Sequence, residues 1–306
     1  MSDSQRVAVS GASGFIGRAL CASLLERGHQ VLALGRDKSA LQRGFASLPA
    51  GLSSHDYSEL AALNPTAVIN LAGENIAARR WRPAQKQRLL DSRLNTTRRL
   101  CEAAEHWPAL HSFISASAIG YYGDGGDSPL NESAAAGSGF AAELCQRWED
   151  SVQCQARRVI ARLAVVLDRE RDAGALAKMR LPFSLGLGAR FGSGQQWQAY
   201  IHRRDAVRAL IFLLETPALS GTFNLSCPEP LRNRQFSEQL AAKLHRPLLL
   251  SIPETAAALL FGEMRELFYQ SQRVVPTALL NAAFQFDFAS VDSALDDALQ
   301  AVQQTP

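Results

Sequence analysis

The chain has 306 residues, of which 47% are hydrophobic and 20% charged, and its formal net charge is +3. This length accommodates one large domain or two modest ones with a full apolar core. The composition is that of a soluble globular protein, and the small net charge gives no reason to expect a nucleic-acid partner. No apolar run approaches the roughly 18 residues that a membrane-spanning helix needs, so no membrane partner is expected either.

The five cysteines are scattered, and neither they nor the six histidines show the spacing of a metal site. We therefore expect reduced thiols, no bound metal and a cytoplasmic protein. The first predicted strand begins near residue 6, which leaves no room for a signal peptide before it.

The segment Arg6–Gly17, RVAVSGASGFIG, predicts a buried strand, a glycine turn and the start of a helix. Its glycines are spaced G-x-x-G-x-x-G. One glycine permits the sharp bend, one lets the backbone approach a pyrophosphate, and one lets the helix pack closely on the sheet. Free N–H groups at the helix start then face the phosphates. The cofactor contacts predicted here are Gly11, Ala12, Ser13, Gly14, Phe15, Ile16 and Gly17.

The second predicted strand, Val31–Leu34, is followed by Gly35 and Arg36, where an NAD site usually places Asp or Glu on the ribose hydroxyl. A guanidinium binds a 2′-phosphate through charge-assisted hydrogen bonds, each contributing about 1.5–3 kcal/mol. Arg36 therefore favours NADP(H) over NAD(H). Two alternatives stay open, because Asp37 could take the ribose or pair with Arg36, and Arg36 could be a solvated surface charge.

A weak strand is predicted at Leu52–Asp56 and a clear buried one at Ala67–Leu71. The small residues after the second of these would let the backbone run beside the cofactor ribose, so Leu71, Ala72 and Gly73 are predicted cofactor contacts. The alternative is simple helix–strand packing.

A charged segment follows, and a long helix opened by a proline is predicted over Arg82–Ala104. Glu74, Arg80, Trp81 and Lys86 predict a substrate pocket with positive charge and an apolar wall. Glu74 is also a candidate proton donor. The alternative is a set of ion pairs between the helix and the loop before it.

The next predicted strand, Phe113–Ala118, carries Ser115 and Ser117 and is followed by Tyr121 and Tyr122. Ser115 is a predicted cofactor contact. The other three are candidate catalytic residues, because a hydroxyl can hydrogen-bond a substrate carbonyl and a tyrosine can donate a proton. The alternative is that one serine caps the following turn and one tyrosine packs in the core.

The glycine-rich stretch Pro182–Gly194 predicts a long flexible connection, and residues 180–200 are expected to border a substrate cleft. Trp197 and His202 beside it are predicted substrate contacts. The remaining elements predicted before residue 228 are a helix at Phe140–Arg157, a strand at Val159–Leu167, a helix at Asp205–Glu215 and a strand at Thr222–Ser226.

Strand–helix alternation predicts an α/β fold, a doubly wound parallel (Rossmann) sheet over residues 1–227. Residues 228–306 are expected to form a smaller, mainly helical lobe with helices at Asn233–Lys243, Thr255–Gln270 and Ser290–Val302. In such a sheet the cofactor lies across the carboxyl ends of the strands.

Three segments, SGASGFIG, SASAIGYYGD and YIHRRDAVRAL, resemble the extended short-chain dehydrogenase/reductase superfamily. The segment NLAGENIAARRWRPAQKQRLLDSRLNTTRRL and the C-terminal stretches IPETAAALLFGEM and QRVVPTALLNAAFQFDF are similar to its atypical, epimerase-like branch. The resemblance covers nearly the whole chain. It implies a Rossmann domain, a small C-terminal domain and NADP(H) as the cofactor.

The resemblance also locates a departure from the superfamily pattern. Extended members carry Tyr-x-x-x-Lys on a helix, where the tyrosine transfers a proton and the lysine lowers its pKa and holds the nicotinamide ribose. Alignment of the helix from Phe140 places the tyrosine position near Phe140 or Ala141 and the lysine position near Leu144 or Cys145. None of these residues can do that chemistry.

These observations predict an NADP(H)-dependent oxidoreductase of atypical mechanism, a monomer or homodimer, acting on a small carbonyl or conjugated substrate. The alternative is an NADPH-binding sensor or interaction protein without catalysis, which the missing Tyr-Lys pair motivates. A sugar-nucleotide epimerase is disfavoured by Arg36 and by the same missing pair.

Overall fold

The computed structural model describes residues 4–45, 50–169 and 174–300. In chain order the strands are β1 (Arg6–Ser10), β2 (Gln30–Gly35), β3 (Leu52–Asp56), β4 (Ala67–Asn70), β5 (Ser112–Ala118), β6 (Arg157–Leu163), β7 (Val165–Leu167), β8 (Ala189–Phe191), β9 (Trp197–Gln198), β10 (Tyr200–His202), β11 (Gly221–Leu225), β12 (Leu231–Arg232) and β13 (Leu250–Ile252). The α-helices are α1 (Phe15–Glu26), α2 (Lys38–Gly44), α3 (Pro83–Ala104), α4 (Phe140–Asp150), α5 (Gly174–Ser184), α6 (Arg203–Glu215), α7 (Asn233–Lys243), α8 (Glu254–Phe261), α9 (Glu266–Tyr269), α10 (Thr277–Asn281) and α11 (Val291–Gln300).

Seven parallel strands form the central sheet in the order β11-β6-β5-β4-β1-β2-β3. The chain builds outward from β1 in one direction through β2 and β3, and then in the other through β4, β5, β6 and β11. The strand order therefore reverses between β1 and β4. In open α/β sheets this reversal opens a crevice at the carboxyl ends of the two strands, where ligands bind.

Helices cover both faces of the sheet, as the alternation of side chains along β1 shows. Val7 and Val9 are buried in a cluster with Leu20 of α1 and Leu210 of α6. Ala8, between them, belongs to a second cluster on the opposite face that includes residues of α3. Because both faces are buried, the strands carry continuous apolar runs. The doubly wound Rossmann prediction is thus confirmed.

Residues after β12 are mainly helical, as expected, and helices α7 and α11 build a third apolar cluster. Phe236 and Leu295 belong to it, together with Leu167 and Tyr200 from earlier in the chain. The core of the smaller lobe therefore includes residues that precede the predicted boundary at 227/228.

Four predicted elements differ in the structure. The helix from Phe140 ends at Asp150 rather than Arg157. The strand predicted at Val159–Leu167 is two strands, because β7 leaves the main sheet after Ala164 to pair with β10. The helix predicted at Thr255–Gln270 is interrupted at Gly262, whose φ of +61° is incompatible with a continuing helix.

The fourth difference is the connection predicted at Pro182–Gly194. Its first residues end helix α5, and its middle forms strand β8. Ala189 of β8 pairs with Leu250 of β13 in a parallel two-stranded sheet. The glycines predicted a flexible loop, but backbone pairing with a strand some sixty residues later gives the segment regular structure, which periodicity within the segment could not reveal.

Candidate functional site

The glycine turn after β1 is built by its own backbone. Gly11 has a φ of +76°, in the region that favours glycine, and its carbonyl accepts a hydrogen bond from the Gly14 N–H at 2.9 Å. A Cβ added at Gly17 would lie 2.2 Å from the Gly11 carbonyl oxygen. The first turn of α1 therefore lies directly against the turn that precedes it, a contact that only glycine at position 17 permits.

Helix α1 begins after Gly14 with no side-chain cap. The N–H groups of a first helical turn have no partner within the helix, and with the helix dipole they form an anion-binding site. Ser13 and Gly14 are exposed and Phe15 and Ile16 half-buried. This is the local arrangement that binds a pyrophosphate.

The turn also packs against the end of β4. A Cβ at Gly11 would lie 2.9 Å from the Leu71 carbonyl carbon, and the Leu71 N–H donates to the Ser10 carbonyl at 2.9 Å. The Asn70 side chain accepts from the Ala72 N–H at 3.2 Å and donates to Thr97 at 2.9 Å. Leu71 and Ala72 therefore line the crevice next to the glycine turn, whereas Gly73 packs against the Arg93 guanidinium. The sequence predicted all three as cofactor contacts.

Arg36 is exposed directly beyond β2. Burial raises the pKa of the nearby Tyr57 phenol, while its hydrogen bond to Ser10 and the Arg36 charge oppose that shift. The Tyr57 hydroxyl and Ser10 Oγ are 2.7 Å apart. Since Ser10 immediately precedes the glycine turn, the Arg36 guanidinium and the turn lie at the same edge of the sheet. The residues at this edge fit a dinucleotide cofactor.

The side chain of Ser115 is fully buried and donates to the Ala116 carbonyl at 3.2 Å. Its hydroxyl therefore does not face the crevice, and any contact to a cofactor at this position would come from the backbone.

Ser117 and Tyr122 belong to a buried polar network that the sequence did not reveal. The Ser117 hydroxyl donates to Glu149 at 2.6 Å, and Glu149 also accepts from Arg162 Nε and Nη2 at 2.8 and 2.7 Å. Arg162 Nη1 donates to the Tyr122 hydroxyl, which donates in turn to Asn224 at 2.7 Å. Ser117 is 1% exposed and Tyr122 2%, so neither hydroxyl reaches a ligand in this conformation.

The network joins strands and helices around the end of β5. Ser117, Glu149 and Arg162 come from β5, α4 and β6, and Asn224 comes from β11. Burial raises the pKa of the Tyr122 phenol, against the opposing effect of the Arg162 charge. A bidentate arginine–carboxylate pair whose nitrogen and oxygen atoms each have a hydrogen-bond partner fixes the relative positions of these elements.

Tyr121 differs from its neighbour. It is half-buried in the 3₁₀ turn Ile119–Tyr122, and its ring lies with its centroid 3.4 Å from the Arg162 guanidinium carbon. Among the described residues its hydroxyl has no hydrogen-bond partner. Of the three predicted catalytic hydroxyls, that of Tyr121 is the one not committed to another side chain.

Glu74 follows the crevice residues Leu71 and Ala72 closely in the chain and is half-buried. Gln85 Nε2 donates to its carboxylate at 2.8 Å, while Ser92 accepts from its backbone N–H at 3.0 Å. Arg93 donates to its backbone carbonyl at 3.0 Å. Its position beside the crevice is therefore fixed by α3.

The start of α4 is apolar at the positions where the resemblance places the Tyr-x-x-x-Lys pair. Phe140, Ala141, Leu144 and Cys145 are all buried. Burial raises the pKa of the Cys145 thiol to about 11, so it carries a proton at neutral pH.

Arg80 and Lys86 connect to the smaller lobe. Arg80 Nε donates to the Leu260 carbonyl at 2.7 Å, at the end of α8. Lys86 pairs with Glu263, and its ammonium lies 5.0 Å from the centroid of the Phe140 ring. Both cations therefore bridge the lobes, and a substrate anion would have to share them with these partners.

The two predicted tryptophan contacts occupy different places. Trp81 is buried, donates to the Ile76 carbonyl at 2.9 Å and packs edge-on against Phe140, 5.0 Å between centroids. Trp197 donates to Asp127 at 2.8 Å, and the guanidiniums of Arg232 and Arg273 lie over its ring. Trp81 thus forms part of the apolar wall beside α4.

His202 caps helix α6. Its Nδ1 accepts from the Arg204 N–H at 3.2 Å, and its ring packs against Phe288, 3.9 Å between centroids. Its Nε2 lies 3.2 Å from an Asp297 carboxylate oxygen, without the alignment of a hydrogen bond. The imidazole is 3% exposed, which gives it a packing and capping role in this conformation.

A cavity of about 360 Å³ is lined by Asp124, just after the Ile119–Tyr122 turn, and by residues between Glu254 and Gln270 of the smaller lobe. Glu266 lines it and accepts from the Ala141 N–H at 2.8 Å, which caps the start of α4 from the other lobe. Burial raises the pKa of the Glu266 carboxyl. Nothing in the local sequence pairs Glu266 with a helix that begins 126 residues earlier, so sequence reasoning missed it.

The described residues contain neither a clustered metal site nor a membrane-spanning helix. No group of three or more His, Cys, Asp and Glu side chains converges there as metal ligands do. Nor does that part of the chain contain a helix long and apolar enough to cross a membrane.

Comparison with known proteins places this site in a family. Residues 7–226 match the NAD dependent epimerase/dehydratase family, and residues 252–298 match DUF1731, a domain of unknown function. An epimerase family protein of Mycobacterium bovis is 41% identical over 94% of this chain and 96% of its own length. The epimerase family protein SDR39U1 of Mus musculus is 33% identical over 95% of this chain and 99% of its own.

Solved structures agree with these sequence matches. The crystal structure of human epimerase family protein SDR39U1 with NADPH has a TM-score of 0.86 and 32% identity, and the match covers 96% of this chain and 99% of that one. A UDP-glucose 4-epimerase of Thermotoga maritima has a TM-score of 0.78 at 16% identity, covering 97% of this chain and 98% of that one, a likeness that shows the fold alone. This chain therefore belongs to the NAD dependent epimerase/dehydratase family, as an epimerase-like short-chain dehydrogenase/reductase whose Rossmann region is followed by a DUF1731 domain.

Proposed function

We propose that this protein is an NADP(H)-dependent oxidoreductase that acts on a small carbonyl or conjugated substrate between the carboxyl edge of the sheet and the smaller lobe. The observation that carries the proposal is the glycine turn, where backbone contacts exclude a Cβ at Gly11 and Gly17 beside the uncapped start of α1. The NADPH bound by the human relative supports the same choice of cofactor.

Arg36 is the residue that selects NADP(H). It is exposed beyond β2, at the edge that holds the glycine turn, so a 2′-phosphate there can accept hydrogen bonds from its guanidinium without displacing a buried partner. Exposure also means that water competes for the guanidinium, so the expected gain lies at the lower end of the range for a charged hydrogen bond, about 1.5–2 kcal/mol.

Tyr121 is the proposed proton donor. Bound NADPH supplies a hydride, and reduction of a carbonyl also requires a proton at its oxygen. The Tyr121 phenol follows β5, one strand from the crevice, and its hydroxyl is uncommitted among the described residues. The Arg162 guanidinium lies 3.4 Å from the centroid of its ring and holds the phenol in place. Glu74 is the second candidate, since it is half-buried and follows the crevice residues Leu71 and Ala72 closely in the chain.

The test compares two adjacent tyrosines. Wild-type protein is mixed with NADPH and a panel of aldehydes, ketones and enones, and the loss of the reduced-nicotinamide absorbance is followed. Tyr121→Phe is expected to lower kcat by about 10²–10⁴-fold, the usual contribution of a general acid, and to leave the Kd of NADPH unchanged. Tyr122→Phe removes a buried hydroxyl from the network and is expected to act on stability instead.

Two outcomes would contradict this account. Turnover that survives in Tyr121→Phe but is lost in Glu74→Gln would transfer the proton step to Glu74. Absence of NADPH oxidation with every substrate, at high protein concentration and with NADPH demonstrably bound, would contradict the oxidoreductase proposal itself.

The second candidate function is a cofactor-dependent sensor without catalysis. It is favoured by the apolar start of α4, where Phe140, Ala141, Leu144 and Cys145 provide no proton carrier at neutral pH. A sensor must change on binding, so NADPH would have to alter hydrogen exchange in segments beyond the glycine turn. Protection confined to the cofactor contacts would argue against it.

A further inference from the structure

Exposed leucines are concentrated in a few segments that the fold brings together. The described residues leave nine large apolar side chains exposed, and seven of them lie in or beside α5, β13 and α8. Their exposed fractions run from 45% to 79%, and they are Leu181, Leu185, Leu187, Leu249, Leu250, Leu259 and Leu260. A single exposed leucine is ordinary in a globular protein, but a group of this size indicates an interaction surface.

The end of α5 turns two of these leucines outward. The buried residues of this helix are Leu176 and Phe183. The Leu185 N–H donates to the Leu181 carbonyl at 3.1 Å, so these two side chains lie one helical turn apart on the same side. Because Phe183 fills the core side, Leu181 and Leu185 remain 68% and 64% exposed.

Strand pairing brings two more leucines to the same place. β8 pairs in parallel with β13, and Ala189 lies opposite Leu250. Leu187 comes two residues before Ala189, and Leu249 comes one residue before Leu250, so both lie at the start of this small sheet. We call the five residues of these two segments the leucine face: Leu181, Leu185, Leu187, Leu249 and Leu250.

An exposed arginine lies between the two segments of the leucine face. Arg246 Nε donates to the Ser184 carbonyl at 2.7 Å, at the end of α5. A Cβ added at Gly186 would lie 4.0 Å from Arg246 Cδ. The guanidinium stem therefore crosses the chain beside Leu185 and Leu187, which places a positive charge within the apolar surface.

A loop before α3 joins this surface to the exposed leucines of α8. The Lys178 ammonium, on α5, donates to the Ala77 carbonyl at 2.9 Å. Arg80 donates to the carbonyls of Leu259 and Leu260. Because Ala77 and Arg80 are three residues apart, α5 and the end of α8 lie on either side of this short loop.

The loop adds two further cations to the surface. Arg79 and Arg82 are exposed, and neither side chain has a hydrogen-bond or ion-pair partner among the described residues. Both guanidiniums are therefore available to an anionic partner without breaking an existing contact.

Acidic residues are absent from the segments that build this surface. The chain has 29 Asp and Glu residues, yet none occurs in residues 75–90, 174–191, 239–253 or 255–262, which together contain ten lysines and arginines. The two acids that border these segments on α8 and just after it, Glu254 and Glu263, are paired with Arg265 and Lys86. The surface therefore combines exposed apolar groups with a border of one charge.

We propose that this surface binds the protein peripherally to an anionic lipid bilayer. The leucines enter the boundary between headgroups and acyl chains, and the arginines contact lipid phosphates. Charge complementarity favours this partner over a second copy of the chain, because two copies would bring borders of the same charge together. Contact of this kind needs no spanning helix, and it does not depend on the proposed reaction.

The experiment measures flotation of the full-length protein with lipid vesicles. One set of vesicles contains phosphatidylglycerol and phosphatidylcholine in equal parts, and the other contains phosphatidylcholine alone. Wild type is expected to float with the anionic vesicles and to stay behind with the neutral ones. Because the cations are exposed, raised salt is expected to release part of the bound protein.

The leucine face is tested by Leu181→Ser combined with Leu185→Ser. We expect this double variant to bind anionic vesicles at least about tenfold more weakly, since it removes apolar area from the membrane contact. Leu280→Ser is the matched control, because Leu280 is 48% exposed on α10 and lies outside the surface. It should float as wild type does.

The basic border is tested by Arg79→Gln combined with Arg82→Gln. A cation near an anionic surface contributes about fivefold to binding, so the double variant is expected to bind roughly thirtyfold more weakly. Arg158→Gln, an exposed position at the amino end of β6, is its control and should leave binding unchanged.

Hydrogen exchange of the wild type with and without anionic vesicles tests the surface without any substitution, and protection is expected in residues 181–187 and 249–252. Absence of flotation, or equal flotation with neutral and anionic vesicles, would overturn the proposal. Flotation that survives in the leucine double variant would overturn it as well. Self-association that this variant abolishes, with no vesicle binding by wild type, would assign the leucine face to a second copy instead.

Discussion

The turn after β1 and the region around the end of β5 lie at the same edge of the sheet but are constructed in opposite ways. The glycine turn is closed by contacts among residues 11 to 17, and its outward N–H groups are left without a cap. The hydroxyls of Ser117 and Tyr122, at the end of β5 and just beyond it, are hydrogen-bonded to Glu149 and Asn224 from distant parts of the chain. Arg162 of β6 completes this network by its bond to Glu149. A local, open arrangement is suited to receiving a ligand, whereas a distributed, satisfied one is suited to holding elements in place.

This difference explains why the sequence was informative about one region and not the other. Spacing within seven residues predicted the cofactor turn, since each glycine has a role that its immediate neighbours define. Ser117 and Tyr122 were predicted as catalytic from the same kind of local pattern, but their partners Glu149, Arg162 and Asn224 come from other strands and helices. That commitment could not be predicted before the fold was known.

The largest expected change in stability follows from replacing Glu149. Replacing it with Ala leaves the buried Arg162 guanidinium without its bidentate partner, which is expected to lower the free energy of unfolding by about 3–5 kcal/mol. Urea unfolding measures this. Glu143→Ala on the same helix removes an exposed pair with Arg147 and should cost under about 0.5 kcal/mol. Equal stability of the two variants would remove the basis for calling the network structural.

Gly17 tests the other region. A Cβ there would lie 2.2 Å from the Gly11 carbonyl oxygen, so Gly17→Ala must push α1 away from the turn. We expect a loss of about 1–3 kcal/mol of stability, as for other overpacked sites, and at least a hundredfold weaker NADPH binding by titration calorimetry. Gly44→Ala, where a Cβ meets nothing within 4 Å among the described residues, is the control. NADPH binding that survives in Gly17→Ala would place the cofactor elsewhere.

Much of the fold was predictable for the same reason that the turn was. The ends of β2, β4 and helix α3 were predicted to within one residue, because the spacing of apolar residues in each segment reflects its own burial. The errors occurred where contacts between distant parts of the chain determine the secondary structure. Val159–Leu167 is one apolar run, yet β7 leaves the sheet to pair with β10, and Pro182–Gly194 gains strand β8 only through β13.

His202 is expected to make a smaller contribution to stability, and one that depends on pH. Burial lowers its pKa below the ordinary 6.5, against the opposing charges of Asp297, Asp168 and Asp205 and in the same direction as the Arg204 charge. The unfolded chain therefore binds a proton that the folded chain resists. Its contribution to stability is complete above about pH 6.5 and is lost as the pH falls toward the folded-state pKa.

His202→Asn keeps a side-chain acceptor for the cap and removes the titration. We expect the fall in thermal midpoint between pH 7 and pH 5 to become shallower, by the equivalent of about 1 kcal/mol or less, with NADPH affinity unchanged. Identical pH profiles for the two proteins would contradict the assignment, and a large loss of NADPH affinity would return His202 to the ligand site.

Whether the edge formed by the glycine turn and Arg36 holds NADP(H) is tested most directly by the affinity of Arg36→Asp for NADPH and NADH. We expect NADPH binding to weaken by about 2 kcal/mol, roughly thirtyfold, because charge-assisted bonds to the 2′-phosphate are replaced by repulsion. NADH, which lacks that phosphate, should lose far less. Equal losses for the two cofactors would contradict the claim.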